Sequence, residues 1–254
     1  MNREWWRWYL YKYSTWFKLW FMKYRLYWPF MWLSGGFWEM CRYYNSMDIT
    51  FQDKNIQRNF NSMENKTKLW EFIDTLNDMS WATIHFFEFG VYKGASLKWW
   101  AENHSSGPWN VFYGFDSFKG LPEKFQNFGH GFLDTDGEVP NINDTRVELV
   151  VGLFQTTINL FIDLYIGWAN SPKCVDHKRI FHFDADVYSG TMYALMKIER
   201  ILRIGDIIIF DEFAHPKHEY KAWRDFLHAT GIEAKCIGAT DVFYHVAFQI
   251  MEMP

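Results

Sequence analysis

The sequence predicts an α/β fold, a mostly parallel seven-stranded sheet with an antiparallel last strand and helices on both faces. Three observations carry that expectation. Short apolar runs alternate with amphipathic, helix-length segments from about residue 66. The last two runs are too close together for a crossover, so the final strand must turn back. Acidic or glycine residues stand where the runs end, where an open parallel sheet places its ligand crevice.

The elements follow in order. Leu69, Phe72, Ile73 and Leu76 share one face of a helix over 68–79. The first strand, 83–87, ends at Glu88-Phe89-Gly90 and leads into a helix over 95–102. The second, 110–115, reaches Asp116, and a long polar stretch separates it from a third at 147–151. A helix from Phe154 to about Gly167 precedes the fourth strand, 179–183, and a helix over 191–202 follows it. The most apolar strand, 206–210, leads to a helix over 220–230 and then to strands near 234–237 and 243–251. Helices of this length between strands imply right-handed crossovers.

The 254 residues suffice for one α/β domain and an appendage, and the 49% hydrophobic content supports a real core. A net charge of −4 gives no reason to expect nucleic acid as a partner. Cys41, Cys174 and Cys236 are far apart and form no metal or disulfide framework, which fits a reducing, cytoplasmic setting.

The front end differs in character. Residues 1–45 carry Arg3, Arg7, Lys12, Lys18, Lys23, Arg25 and Arg42 against Glu4 and Glu39. On a helical wheel Arg3, Arg7, Ser14, Lys18 and Arg25 oppose Trp6, Tyr9, Trp16, Phe17 and Trp20. Charges interrupt every window long enough to span a bilayer, and no uncharged run leads to a signal cleavage site. Residues 1–65 therefore read as an aromatic, basic helical extension and 66–254 as the main domain. The extension packs on the core, meets a membrane surface peripherally through 1–45, or docks a partner such as a second copy. Pro29 and Gly35-Gly36 are expected to end its aromatic element.

Four strand ends bear groups suited to chemistry. Glu88-Phe89-Gly90-Val91-Tyr92-Lys93-Gly94 is an E-x-G-x-x-x-G turn, in which Gly90 permits close backbone approach to a ligand and Gly94 a tight helix start. It lacks the G-x-G-x-x-G pattern of a dehydrogenase. Asp116 can accept from both hydroxyls of a ribose. Asp184, Asp211 and Glu212 close adjacent central strands, and three such oxygens suit Mg²⁺ or another hard divalent cation, with waters or a substrate oxygen completing its shell. A bound cation would lower the pKa of a hydroxyl and hold it for attack. Asp186 serves as a fourth ligand or as the partner of a cofactor amine.

Five strings stand in compatible order and spacing: the turn at 88–94, Phe115-Asp116-Ser117-Phe118-Lys119-Gly120-Leu121-Pro122, Gly152-Leu153-Phe154-Gln155-Thr156-Thr157, His182-Phe183-Asp184-Ala185-Asp186-Val187-Tyr188-Ser189, and Ile209-Phe210-Asp211-Glu212-Phe213. Over roughly residues 66–250 they resemble the macrocin O-methyltransferase-like family of class I S-adenosylmethionine-dependent methyltransferases. The resemblance implies a Rossmann-like class I fold, S-adenosylmethionine as methyl donor, and frequently Mg²⁺ with a hydroxylated small-molecule acceptor, often a sugar. It implies a cofactor site of Glu88, Gly90, Gly94, Asp116, Ser117, Gly152, Leu153, Phe154, Asp184 and Asp186, and metal positions at Asp184, Asp211 and Glu212. Asp184 or His215 is the expected proton acceptor. Transfer without metal to nitrogen or a carboxylate, and a non-catalytic docked protein, are the competing readings.

Other motifs are discounted. His215 and His218 lie too close in sequence for ordinary helical zinc spacing, and His182 reads as a satisfied core histidine. Asp134-Thr135-Asp136-Gly137 starts like a calcium loop without its remainder and reads as a turn within a lid over 119–145.

Overall fold

The computed structural model describes residues 35–46, 51–52, 63–79, 82–104, 109–125, 127–169, 177–240 and 243–254. In chain order they form helix α1 (Gly35–Ser46), strand β1 (Phe51–Gln52), α2 (Met63–Leu76), β2 (Thr83–Phe89), α3 (Ala95–Asn103), β3 (Val111–Asp116) and β4 (Val147–Val151). There follow α4 (Phe154–Ala169), β5 (His177–Phe183), α5 (Tyr188–Ile198), β6 (Ile207–Phe210), α6 (Glu219–Thr230), β7 (Glu233–Ala239) and β8 (Val246–Glu252). The sheet order is β1-β7-β8-β6-β5-β2-β3-β4. All pairings are parallel except those of β8 with β6 and β7. Strands β2 to β8 are the seven expected, and β1 adds two residues at the edge beside β7. Chain order reverses between β2 and β5, so the crevice opens there.

Both parities of the central strands are apolar because both faces are covered. Phe87, Phe89, Phe181, Phe183 and Phe210 pack on one face against α1, α4, α5 and α6, through residues such as Ile162, Leu195, Trp223 and Phe226. Ile84, Phe86, Phe112, Ile180 and Ile209 pack on the other against Leu69, Trp70 and Ile73 of α2 and Leu97 and Trp100 of α3. The phenylalanines also stack across strands, Phe87 on Phe181 with centroids 4.7 Å apart and Phe89 on Phe183 at 4.9 Å.

Hydrogen bonding continues past the strand ends. The N–H groups of Gly90, Asp184, Asp211 and Gly152 donate to the carbonyls of Phe115, Phe89, Phe183 and Asp116, each at 2.9 Å. The strand tips are thereby laced together by backbone.

Met40 and Tyr44 of α1 are buried in the core, with the Tyr44 hydroxyl donating to the Phe213 carbonyl at 3.0 Å and its ring stacked on Phe243. Helix α1 thus packs on the sheet, and Gly35-Gly36 begin it. Helix α2 starts at Met63, ahead of the expected 68. The aromatic stripe of residues 5–34 lies outside the described residues. No described helix is long and apolar enough to cross a membrane.

Segment 119–145 forms turns, without helix or strand of its own. The Leu121 N–H donates to the Phe132 carbonyl at 2.8 Å and the Gly131 N–H to the Leu121 carbonyl at 2.9 Å, folding the segment onto itself. Gly120, at φ +69°, is required: a Cβ there would stand 2.6 Å from the Gly131 backbone. Asp134 accepts the Asp136 N–H at 2.8 Å, the turn expected of that motif.

Candidate active site

A cavity of about 450 Å³ lies beyond the carboxyl ends of the central strands, roofed by segment 119–145. Of the residues singled out from sequence, Gly90, Asp116, Ser117, Gly152, Leu153, Phe154, Asp184, Asp186 and Glu212 line it. Glu88, Gly94, Asp211 and His215 do not.

At one end the β2 turn passes under the cavity. Gly90 has φ +94°, and a Cβ there would lie 2.0 Å from the Asp184 carbonyl oxygen, so no side chain is tolerated. Asp116 holds this turn: its Oδ2 accepts the Val91 and Tyr92 N–H groups, each at 2.8 Å, and its Oδ1 accepts that of Phe118 at 2.8 Å. With two lone pairs per oxygen, Oδ1 still has one for a ligand. Leu153, 44% exposed, and Phe154 form an apolar wall beside it.

Glu88 lies behind this wall. Strand alternation sets it in line with Ile84 and Phe86, facing α2 and α3, where it is 1% exposed and its Oε1 meets His182 Nδ1 at 3.0 Å. Gly94 caps α3 and packs toward Pro140 and Ile142.

The other end is charged. Burial pushes the Glu88, Asp184 and Asp186 carboxyls upward; neighbouring acids push Asp184 and Asp186 further, while His182 and Lys66 partly offset the effect on Glu88. Glu212 is pushed up to about 8 by burial and by Asp184 and Asp211, and its Oε1 accepts the Tyr244 hydroxyl at 2.9 Å. Asp211 behaves oppositely. Burial would raise its pKa, but Lys66 and His245 hold it well below the usual range. His182 is buried against its charge, yet Asp211 and Glu88 lift it to about 10. It is buried in the core as the sequence suggested, but among the described residues only Nδ1 is hydrogen-bonded, while Nε2 stands 3.8 Å from Asp211 Oδ1.

Lys66 was not anticipated. From the first turn of α2 its Nζ stands 2.7 Å from Asp211 Oδ2 and 3.4 Å from Asp184 Oδ2, with the side chain 8% exposed and on the cavity wall. Burial opposes its charge, but Asp184 and Asp211 raise its pKa. The signal was available: Lys66 precedes Leu69, Trp70 and Ile73 on the buried face of one amphipathic helix. Tyr244 and the roof residues Phe125, Phe128 and Phe132 were also unassigned and line the cavity. Phe128 and Phe132 stack with centroids 4.0 Å apart.

Two expectations need correction. His215, 5% exposed, is not among the residues lining the cavity and has Nε2 3.4 Å from Glu212 Oε2 and its ring against Phe125 and Tyr244. The divalent cation expected at Asp184, Asp211 and Glu212 does not fit this arrangement. Asp211 is off the wall with Oδ2 2.7 Å from the Lys66 ammonium, and Glu212 has Oε1 on the Tyr244 hydroxyl and Oε2 3.4 Å from His215 Nε2. Among the described residues no three His, Cys, Asp or Glu side chains form a metal-holding group. An ion with charge +2 placed about 4 Å from the ammonium would repel it by roughly 8 kcal/mol at an effective dielectric of about 20.

Comparison with known proteins adds the remaining facts. The profile of the family described as macrocin-O-methyltransferase (TylF) matches residues 58–246. The structure of the O-methyltransferase NovP superposes with a TM-score of 0.52 at 15% identity, covering 74% of this chain and 80% of that one. CalS11, a calicheamicin methyltransferase, is 22% identical over 68% of this chain and 76% of its own, with a TM-score of 0.49. No curated sequence matches the chain. The NovP likeness shows the fold, that of the class I methyltransferases.

Proposed function

Since this chain belongs to the macrocin-O-methyltransferase family and is a methyltransferase that uses S-adenosylmethionine, we propose that its cavity transfers a methyl group to a hydroxyl of a small-molecule acceptor. One observation carries the reading: a single cavity joins a nucleoside-type end, at Gly90, Asp116, Leu153 and Phe154, to a carboxylate-rich end at Asp184, Asp186 and Glu212.

S-adenosylmethionine, when bound, supplies an electrophilic methyl on a sulfonium. Gly90 lines the cavity without a side chain, and Asp116 Oδ1 offers an acceptor to a ribose hydroxyl. Leu153 and Phe154 flank a flat base.

Asp186 is the proton acceptor of this mechanism. It lines the cavity, and burial with Glu212 and Asp184 beside it makes it a stronger base than a solvated carboxylate. Its φ of +60°, unusual outside glycine, aims it from the turn after β5. Asp184 is instead engaged with Lys66. The roof of Phe125, Phe128 and Phe132 excludes water from the reacting oxygen. Transfer from bound S-adenosylmethionine to the hydroxyl, whose proton Asp186 takes, would invert the methyl carbon and release S-adenosylhomocysteine.

Calorimetry with S-adenosylhomocysteine, followed by transfer of labelled methyl to hydroxylated acceptors, tests the proposal. Asp186→Asn should lower turnover by roughly 100-fold or more while cofactor affinity holds. Absence of S-adenosylhomocysteine binding by the intact chain would end it. The basic, aromatic front end supports a further reading, peripheral membrane contact through the residues before α1 or pairing with a second copy. Flotation with anionic liposomes and sedimentation measure these separately.

A further inference from the structure

We infer that the Lys66 ammonium serves as the built-in cation of this site, filling the position between Asp184 and Asp211 and excluding a divalent ion from it. The inference rests on the methyltransferase reading only for its purpose, because its geometry stands alone. A lysine in the first turn of a helix is poorly placed, since the positive end of the helix dipole repels it. Its side chain is 8% exposed, so desolvation is also against it. Both penalties are met by carboxylates from two different strand tips, Asp211 at 2.7 Å and Asp184 at 3.4 Å.

The surroundings hold the pair in place. Asp211, 1% exposed, has its Oδ1 3.2 Å from His245 Nδ1 and 3.8 Å from His182 Nε2, and His182 in turn meets Glu88 at 3.0 Å. Asp211 is thus committed to the protein interior while Lys66 stands on the cavity wall. An ammonium has three rotatable N–H donors. Lys66 donates one to Asp184 at 3.4 Å and pairs with Asp211 at 2.7 Å through its charge, which leaves a donor for the cavity. There it can donate to the acceptor oxygen and favour its deprotonated form, the service a Lewis-acidic ion would otherwise perform. Lys66 then needs no ion to be recruited, and the site carries its cation at any metal concentration.

The test uses the full chain saturated with S-adenosylhomocysteine, with Mn²⁺ as the probe and electron paramagnetic resonance reporting free ion. Wild type should leave Mn²⁺ free. Lys66→Gln, which is one atom shorter, stays polar and loses the charge, should bind it roughly tenfold or more tightly than wild type, because two uncompensated carboxylates then seek a cation. Adding Asp184→Asn to Lys66→Gln should abolish that binding and so locate it. Mn²⁺ binding by wild type as tight as by the variant, or by neither protein, overturns the inference. Should Lys66→Gln prove unfolded by its thermal transition, wild type and Asp184→Asn decide the matter alone: wild-type binding that Asp184→Asn removes overturns it, and wild-type exclusion supports it. Calorimetry of S-adenosylhomocysteine on the same samples keeps the two readings apart. Its failure to bind sinks the methyltransferase proposal and leaves the Mn²⁺ result standing.

Discussion

Asp116 shows how one side chain serves several needs. Three backbone N–H groups from two turns converge on its carboxylate, each at 2.8 Å. Hydrogen bonds to a charged acceptor contribute more than neutral ones, about 1.5–3 kcal/mol each. Asp116→Asn keeps the shape but turns an NH₂ toward donors on one side. We expect S-adenosylhomocysteine affinity to fall by roughly tenfold to a hundredfold, with a smaller loss in urea stability, since the turn is ordered before the ligand arrives. Unchanged affinity by calorimetry would contradict the role given to the turn. The importance of Asp116 was legible in sequence because a carboxylate directly after an apolar strand must find N–H donors, and the neighbouring strand tips supply them. Lys66 was not, because a lysine near a helix start usually faces solvent, and only its register with Leu69, Trp70 and Ile73 tells otherwise. Glu88 misled for a related reason: a strand-end acid can point behind the sheet, and parity with Phe86 decided that it does.

Among the elements, β2, β5 and α4 share a buried polar contact at the end of the sheet opposite the cavity. His85 Nδ1 meets the Tyr165 hydroxyl at 2.7 Å, and its ring stacks on His177 with centroids 3.9 Å apart. Burial, reinforced by His177 and Arg179, lowers the His85 pKa from 6.5 to about 3. The folded chain thus keeps His85 neutral where the unfolded chain takes up a proton. The resulting stability is fully present above pH 6.5 and drains away as pH falls toward 3, at up to about 1.4 kcal/mol per pH unit. Urea unfolding at a series of pH values should show that slope. In His85→Gln, which keeps a polar partner for Tyr165 and cannot titrate, the slope should flatten. The strands themselves were readable because fully buried parallel strands are continuous apolar runs. Their limits shifted by a residue or two where hydrogen bonding, unseen in composition, carries on. The helix starts were harder, since α2 opens with an exposed Met63 and the polar string Glu64, Asn65, Lys66.

For the molecule as a whole, the front of the chain contributes to the fold before the sheet begins. Helix α1 sets Met40 and Tyr44 into the same core as Trp223 and Phe248. Its aromatic composition hid this, because one density of Trp and Tyr serves a core, a partner surface or a bilayer equally well. A chain starting at residue 47 should therefore melt roughly 10 °C below one starting at residue 35, the loss of two large buried side chains in a domain of this size. Equal midpoints in differential scanning calorimetry would return α1 to the status of an appendage.

The lacing of the strand tips carries a consequence for what such an enzyme can evolve to accept. Because the Gly90 backbone is pressed against the Asp184 carbonyl, the donor shelf and the acceptor shelf are parts of one rigid frame. The spacing of those two turns is set by peptide groups, and side-chain exchange does not widen it. New acceptors must be accommodated from above, by rebuilding the phenylalanine-lined canopy.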